Sequence, residues 1–236
     1  MRLSVLIPVY NEEAGVEILL RRVAAVDIDK EIIVVDDCSN DRTAEILNHV
    51  KDIPELRVIR HPVNRGKGAA IRTAIQAVQG DAVIIQDADL EYDPQDYPAL
   101  LEPIIQGKAQ VVYGVRDFRG QKLLLRLGNK FLTFLTNVMY GVHIHDMETC
   151  YKVMRADIAR QLDIECNRFD LEPEITAKVI RMGYQICEVP ISYDPREEKK
   201  LSPWKDGLPA LRALWRYRYW EPDAAADRAY PVSLQE

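Results

Sequence analysis

Apolar runs alternate with helical patterns through the first half of the chain, and this alternation constrains the fold more than any other feature. The predicted strands are Arg2–Val9, Glu31–Asp36, Arg57–His61, Asp81–Gln86 and Gln110–Gly114. The predicted helices between them are Glu12–Ala25, Asp41–Lys51, Gly66–Gln79 and Pro94–Gln106. Strands that are apolar along their whole length are typical of sheets covered by helices on both faces. The sequence therefore predicts an α/β fold with an open, mostly parallel sheet.

Length and composition narrow the class of protein. The chain has 236 residues, of which 47% are hydrophobic, so a large core is within reach. We expect one domain over residues 1–220, with a nucleotide-binding half (1–115) and an acceptor-binding half (116–220), followed by a poorly ordered tail (221–236). The net charge of −6 argues against nucleic-acid binding.

The four cysteines form no CxxC pair, and the N-terminus opens on a strand rather than on a signal peptide. The chain also has no uninterrupted apolar run of about 18 residues, the length that would predict a membrane-spanning helix. We therefore expect a reduced, cytoplasmic protein whose contact with a membrane, if it has one, is peripheral.

Polar residues follow the predicted strands, at the edge of the sheet where α/β proteins bind ligands. These strand-end segments are Tyr10–Glu13, Asp36–Asp41, Asn64–Gly68, Asp87–Asp89 and Gly114–Arg116. Some of the residues have local explanations, because Asp41 suits the cap of the second helix. Lys67 is different, since a cation at a helix start opposes the helix dipole and makes more sense beside an anion.

The acidic pair Asp87 and Asp89 is the strongest chemical signal. Two carboxylates this close at the end of a buried strand repel each other, and burial disfavours both charges. A divalent cation removes that cost, and a site made of oxygen ligands suits Mg²⁺ or Mn²⁺. Glu91 could supply a third oxygen. A solvated loop is the alternative explanation when the pair is taken alone.

The second half carries a basic and apolar segment between Val115 and Leu135. Lys122, Arg126 and Lys130 are spaced four apart and share one helix face. The neighbouring apolar face contains Leu124, Leu127, Phe131, Phe134, Leu135 and Val138. Two interpretations stay open: an amphipathic helix packed on the sheet, or a helix lying in a membrane interface. Leu208–Trp220, where arginine and aromatic residues alternate, is a second amphipathic segment of this kind.

These motifs together resemble the family 2 glycosyltransferases of the GT-A fold. The resemblance rests on Val5–Glu13, Ile33–Asp41, Asn64–Gly68 and Asp81–Pro94, and it covers about residues 1–115. Within that family the chain is most similar to the polyprenyl-phosphate sugar synthases. The fold implied is a Rossmann-like, mostly parallel sheet with helices on both faces, joined by a C-terminal amphipathic helical region.

The resemblance also implies roles for individual residues. Pro8, Tyr10 and Glu12 would line the nucleotide pocket, Asp37 would bind the base, and Lys67 would approach the nucleotide. Asp87 would face the ribose and the metal, Ala88 would line the same site, and Asp89 would bind the metal with help from Glu91. Asp146 and Glu148 would contact the donor sugar, and Arg196 and Lys199 the diphosphate. Arg116 and Arg126 would hold the phosphate of the lipid acceptor.

The reaction expected from the resemblance is an inverting transfer of a hexose from a UDP- or GDP-linked sugar to a polyprenyl monophosphate, with Mg²⁺ or Mn²⁺. Membrane contact would be direct or through a membrane-anchored partner. A saccharide hydroxyl is the alternative acceptor, and it would need a carboxylate base such as Asp146 or Glu172. A dinucleotide-dependent oxidoreductase is disfavoured, because Gly66–Ile71 follows the third strand and lacks the last glycine of the fingerprint.

Overall fold

The computed structural model describes residues 1–118, 123–168, 170–195 and 203–222. Its strands are β1 (Leu3–Val9), β2 (Lys30–Asp36), β3 (Leu56–Arg60), β4 (Ala82–Ile85), β5 (Val111–Arg116), β6 (Lys152–Arg155) and β7 (Ile186–Ile191). Its α-helices are α1 (Val16–Ala24), α2 (Thr43–His49), α3 (Lys67–Gln76), α4 (Tyr97–Ile105), α5 (Leu123–Tyr140), α6 (Ala156–Gln161), α7 (Leu171–Arg181) and α8 (Pro203–Arg216). Short 3₁₀ turns occupy Pro94–Asp96 and Tyr217–Tyr219. Of the tail expected to be poorly ordered (221–236), residues 223–236 lie outside the described residues, as do Lys122, Arg196 and Lys199.

The seven strands form one sheet in the order β3-β2-β1-β4-β6-β5-β7. Strand β6 runs antiparallel to both of its neighbours, and the remaining pairs are parallel. The predicted mostly parallel α/β sheet is therefore confirmed. Because β6 is reversed, its first residue, Lys152, pairs with Tyr113 in the middle of β5, and the next residue, Val153, pairs with Ile84 near the carboxyl end of β4. The segment before β6 consequently enters the same edge of the sheet as the ends of β1, β2 and β4.

The core is built around the apolar strands that the sequence indicates. Every residue of β2 is buried, and so are all but one of β1, as expected for strands covered on both faces. One buried carboxylate, that of Glu31, is satisfied inside this core. It accepts hydrogen bonds from the Ser4 hydroxyl at 2.5 Å and from the backbone N–H groups of Gln79 and Gly80 at 2.7 and 2.9 Å.

The C-terminal helices pack on one another rather than continuing the sheet. Leu214 of α8 is fully buried with Ile144 and Met147, and Leu132 of α5 packs against this group. The ammonium group of Lys178, in α7, is fully buried beside Glu174 at 2.8 Å and lies 4.8 Å from the ring centroid of Tyr217. The predicted amphipathic helices α5 and α8 are thus present and anchored to α7. Across the described ranges no helix combines the length and the apolar character needed to span a bilayer.

Candidate active site

Backbone strain marks the carboxyl edge of the sheet. Asn11, Cys38 and Leu90 have positive φ angles of 54°, 63° and 63°, and they follow β1, β2 and β4. Bulky residues such as leucine rarely adopt this conformation, which costs about 1–3 kcal/mol and tends to occur at functional sites. The edge at which the sequence gathers polar residues is therefore also an edge where the chain tolerates strain.

Lys67 lies between two carboxylates at this edge. Its ammonium nitrogen is 2.7 Å from Asp87 Oδ1 and 2.7 Å from Glu172 Oε1. Burial alone would lower the pKa of Lys67, but Asp87 and Glu172 raise it well above its usual value. The pKa of Asp87 is lowered because Lys67 outweighs the effect of burial. The predicted proximity of Lys67 to an anion is confirmed, and the anions within the chain are these two carboxylates.

The second acid, Asp89, is presented by the strained turn at Leu90. The backbone N–H of Glu91 donates to Asp89 Oδ1 at 3.2 Å. The carboxylate of Glu91 accepts a hydrogen bond from the Tyr193 hydroxyl at 2.8 Å. Glu91 is thereby held by a residue that lies 102 positions further along the chain.

Asp87, Asp89 and Glu91, the three acids expected to bind a metal, do not come together as one cluster in the structure, and their binding of a metal stays a prediction. Among the described residues no group of three or more His, Cys, Asp or Glu side chains is arranged to hold a metal. Asp87 faces Lys67, and Glu91 faces Tyr193, which explains the difference. An all-oxygen site made of Asp89 and a diphosphate still fits the preferences of Mg²⁺ and Mn²⁺.

Asp37 is buried, and its carboxylate accepts hydrogen bonds from within the chain. The donors are the backbone N–H groups of Arg65 and Gly66, at 2.9 and 2.6 Å. The carboxylate of Asp37 also lies 2.6 Å from His61 Nδ1. Gly66 has a φ of 92°, and a Cβ added there would lie 2.0 Å from the carbonyl oxygen of Asn167. Asp37 thus holds the tight loop that places Lys67, and binding of the base by Asp37 stays a prediction.

The end of β1 and the residues after it form an open part of the site. Tyr10 is 42% exposed, and Pro8 is partly exposed. The backbone N–H of Glu12 donates to Thr43 Oγ1 at 2.9 Å, which ties this loop to the start of α2. The side chain of Asp41 accepts from the N–H of Thr43, the first residue of α2, at 2.9 Å, but the cap position itself is Arg42 rather than Asp41 as predicted.

Arg116 forms a two-pronged ion pair with Asp146. Its Nε and Nη2 atoms lie 2.7 and 2.8 Å from the two carboxylate oxygens, and the exposed fractions of the two side chains are 6% and 0%. Burial would lower the pKa of Arg116, but Tyr92 and Asp146 raise it well above its usual value. Arg126 is exposed on α5, so the two arginines expected to hold one phosphate lie in different surroundings. Asp146 pairs with Arg116, and its expected contact with the donor sugar stays a prediction.

Glu148 is the acid near Arg116 that keeps an unsatisfied atom. Its Oε1 is buried and has no hydrogen-bond partner among the described residues. Burial, followed by the nearby charge of Glu172, raises the pKa of Glu148 to about 7. A buried oxygen without a partner costs about 1–3 kcal/mol, so a ligand that donates a hydrogen bond here gains affinity. This observation favours Glu148 over Asp146 as the sugar contact.

Sequence reasoning missed the parts of the site that come from distant elements. It did not single out Tyr193, His61 or Lys152, the last of which is buried and donates to the carbonyl oxygen of Met147 at 2.9 Å. The rule that strand ends face the ligand would have found Tyr193, because it lies two residues after β7. It was missed because β7 itself was not among the predicted strands.

A mostly parallel sheet with polar residues gathered at its carboxyl edge places the protein among the open α/β folds, which bind ligands at that edge. The model of one such family, described as Glycosyl transferase family 2, matches residues 4–163, which is more than half of the chain. The protein therefore belongs to glycosyltransferase family 2.

Two relatives show which proteins the chain is similar to. The low-salt glycan biosynthesis hexosyltransferase Agl6 of Haloferax volcanii is 32% identical over 223 residues, covering 90% of this chain and 52% of the relative. The undecaprenyl-phosphate 4-deoxy-4-formamido-L-arabinose transferase of Pectobacterium atrosepticum is 38% identical over 161 residues, covering 66% and 49%. The chain therefore spans about half the length of these relatives.

Solved structures share the fold. Glucosyl-3-phosphoglycerate synthase from Mycobacterium tuberculosis, in complex with Mn²⁺ and UDP-glucose, superposes with a TM-score of 0.71. It is 22% identical, and the match covers 94% of this chain and 80% of that one. The same enzyme in complex with Mg²⁺ and UDP gives a TM-score of 0.70. At this identity the likeness establishes the GT-A-type fold alone.

Proposed function

We propose that the protein transfers a hexose from a UDP- or GDP-linked sugar to a polyprenyl monophosphate, with inversion at the anomeric carbon. The observation that carries the proposal is the strained carboxyl edge where Asp87 pairs with Lys67 and Asp89 follows two residues later, in a chain related to an undecaprenyl-phosphate sugar transferase. A nucleotide diphosphate is the ligand whose charge such an edge accommodates. The nucleotide would lie against Pro8, Tyr10 and Glu12.

On the donor side, Asp89 would hold Mg²⁺ or Mn²⁺ together with the diphosphate. The bound cation supplies Lewis-acid stabilisation of the negative charge on the leaving group. Lys67 lies at the same edge, already paired with Asp87 and Glu172, and this fixed group would help to orient the donor.

Glu148 would bind a hydroxyl group of the donor sugar. Its buried Oε1 lacks a partner among the described residues and accepts a hydrogen bond at no cost to the protein. Asp146 would act indirectly, by fixing Arg116.

On the acceptor side, a phosphate oxygen is the nucleophile that we propose. It is anionic at neutral pH, so the site does not need a strong general base. Attack from the face opposite the leaving diphosphate inverts the anomeric carbon. Arg116 is held rigidly by Asp146, and a preorganised guanidinium suits the alignment of a phosphate.

Helix α5 would bring the site to the lipid. Leu124, Leu127, Phe131, Phe134 and Val138 are 54–68% exposed on one face, and Arg126 and Lys130 lie beside them, also exposed. Exposed apolar side chains flanked by cations suit an anionic membrane surface. The protein would therefore bind the membrane peripherally, or a membrane-anchored partner through the same face.

A saccharide hydroxyl acceptor is the second candidate. The observation that favours it is the pKa of Glu148, raised to about 7 by burial, which suits a general base at neutral pH. In this case Glu148 would take the proton of the attacking hydroxyl, in place of Asp146 or Glu172.

The test is transfer of radiolabelled sugar from a panel of UDP- and GDP-sugars, with short polyprenyl phosphates or saccharides as acceptors. Each reaction is run with Mn²⁺, with Mg²⁺ and with EDTA. Metal-dependent label in the organic phase supports the lipid acceptor. Label found only in saccharide products would overturn it in favour of the second candidate.

A further inference from the structure

The turn that presents Asp89 is clamped from outside its own segment. Leu90 has a φ of 63°, a strained value for leucine, and Glu91 follows it directly. The carbonyl oxygen of Glu91 accepts the N–H of Asp194 at 2.9 Å, and its carboxylate accepts the Tyr193 hydroxyl at 2.8 Å. Strain persists only where surrounding contacts fix it, and these two contacts come from the segment after β7.

The ring of Tyr193 performs a second task. The guanidinium carbon of Arg116 lies 5.2 Å from its centroid, and the ring of Phe118 lies 5.1 Å from the same carbon. A cation within about 6 Å of an aromatic face is attracted to it by the quadrupole of the ring. Arg116 is therefore held by Asp146 at its nitrogen atoms and lies against the rings of Tyr193 and Phe118.

Tyr193 itself is placed independently of these two contacts. It forms a β-bridge with Tyr92, and the two rings are 5.3 Å apart. The preceding residue, Ser192, donates its N–H to Asp96 at 2.7 Å. One anchored side chain therefore touches the acidic turn through its hydroxyl and the buried arginine through its ring.

We propose that Tyr193 is a positioning residue that couples the donor side of the site to the acceptor side. Its hydroxyl sets the turn that carries Asp89, and its ring sets the orientation of Arg116. The inference rests on the proposed function, in which Asp89 acts on the donor and Arg116 on the acceptor. Neither role requires Tyr193 to touch a substrate.

The two tasks can be separated by substitution. Tyr193→Phe removes the hydroxyl and keeps the ring, whereas Tyr193→Leu removes both. Asp96→Asn is the matched control, because it weakens the anchoring of the same segment without removing either contact of Tyr193. Thermal unfolding of each variant shows whether the fold is intact.

Two measurements report on the two sides. Binding of Mn²⁺ in the presence of UDP, and separately of GDP, is followed by the electron paramagnetic resonance signal of the free ion. The KM for the acceptor that the transfer assay identifies is measured at saturating donor and metal. The first measurement does not depend on activity.

For Tyr193→Phe we expect Mn²⁺ binding about fivefold weaker, with the acceptor KM within about twofold of the wild-type value. Tyr193→Leu should show the same loss of Mn²⁺ binding and an acceptor KM raised about fivefold. Asp96→Asn should change neither quantity by more than about twofold.

Unchanged Mn²⁺ binding in Tyr193→Phe would overturn the proposed action on the Asp89 turn, and an unchanged acceptor KM in Tyr193→Leu would overturn the action on Arg116. Equal changes in Asp96→Asn would show general loosening of the segment and overturn both. A wild-type protein that labels no lipid refutes the proposed acceptor alone. The Mn²⁺ measurement would still decide whether Tyr193 acts on the acidic turn.

Discussion

Helices α1 and α5 both carry an apolar stripe, but α1 buries its stripe in the core whereas α5 exposes its stripe on the surface. In α1, Val16, Leu19, Leu20 and Val23 are fully buried against the sheet. In α5, the exposed stripe contains Leu124, Leu127, Phe131, Phe134 and Val138. What α5 buries instead includes Thr133 and Thr136, whose hydroxyls bond to the backbone of Met147 and Leu132 at 3.2 and 2.9 Å.

The difference shows that periodicity predicts a face but not its partner. Burying an apolar side chain contributes about 1.5–3 kcal/mol, so the stripe of α1 is used in folding. The stripe of α5 remains available, and contiguous exposed apolar surface marks an interaction site. In the proposed function, the sheet edge would carry the chemistry and this separate helix face would carry the attachment.

The largest effect should come from the sheet edge. Asp89→Ala removes the proposed metal ligand, and we expect transfer to fall by about 10³-fold or more while the free energy of unfolding changes little. Initial rates at saturating Mn²⁺ and urea denaturation measure the two quantities. Substantial residual activity would show that transfer does not depend on Asp89.

The difference between the two helices can be tested by replacing one leucine in each of them. Leu20→Ala in α1 creates a cavity in the core and should lower the free energy of unfolding by about 2–5 kcal/mol. Leu127→Ala in α5 should change it by less than about 0.5 kcal/mol, since Leu127 is 55% exposed. Urea denaturation of both variants provides the measurement. Similar losses would mean that the α5 stripe is part of the fold.

The double variant Phe131→Ser, Phe134→Ser tests whether the α5 stripe binds the membrane, as proposed. We expect its partition to anionic vesicles to fall by about thirtyfold, because two aromatic side chains no longer enter the interface. Co-sedimentation with vesicles measures it, and Leu20→Ala at low temperature is the control that should still bind. If binding persists but the wild-type protein proves to be a dimer that the variant disrupts, the stripe faces protein instead.

The smallest effect concerns pH and the buried Glu148. Its pKa is raised from 4.5 to about 7, so between these values the unfolded chain loses a proton that the folded protein keeps. Stability from this group is therefore complete below about pH 4.5 and is lost as the pH rises through about 7. Glu148→Gln should match the wild-type Tm at pH 5 and exceed it by about 3 °C at pH 8. Glu45→Gln, on the exposed side of α2, is the control and should leave the pH dependence of Tm unchanged. If the curve of Tm against pH for Glu148→Gln also runs parallel to that of the wild-type protein, the raised pKa of Glu148 is refuted.

Local patterns predicted the first five strands well. The apolar run at residues 81–86 became β4 over Ala82–Ile85, and the run at 2–9 became β1 over Leu3–Val9. The predicted start of the first helix at Glu12 was too early. Residues 12–15 form a turn after the positive φ of Asn11, and α1 begins at Val16.

Long-range contacts were beyond local patterns. The bond from Lys67 to Glu172 joins residues 105 positions apart, and the one from Tyr193 to Glu91 joins residues 102 apart. No periodicity encodes such pairs, because they depend on which strands become neighbours in the sheet. The reversed strand β6 has only four residues, one of them the buried Lys152, so it lacked the apolar signature of a strand.

The position of β6 also bears on how the chain folds as it is made. Strand β5 ends at Arg116, but both of its hydrogen-bonded neighbours, β6 and β7, come later in the sequence. At about 5–20 residues per second, the ribosome needs several seconds to add the residues up to Arg155. During that interval β1 to β4 can pair among themselves, while β5 exposes two unpaired edges. Nascent chains of this protein are therefore expected to be most prone to aggregation, and most dependent on chaperones, after β5 has emerged and before β6 has.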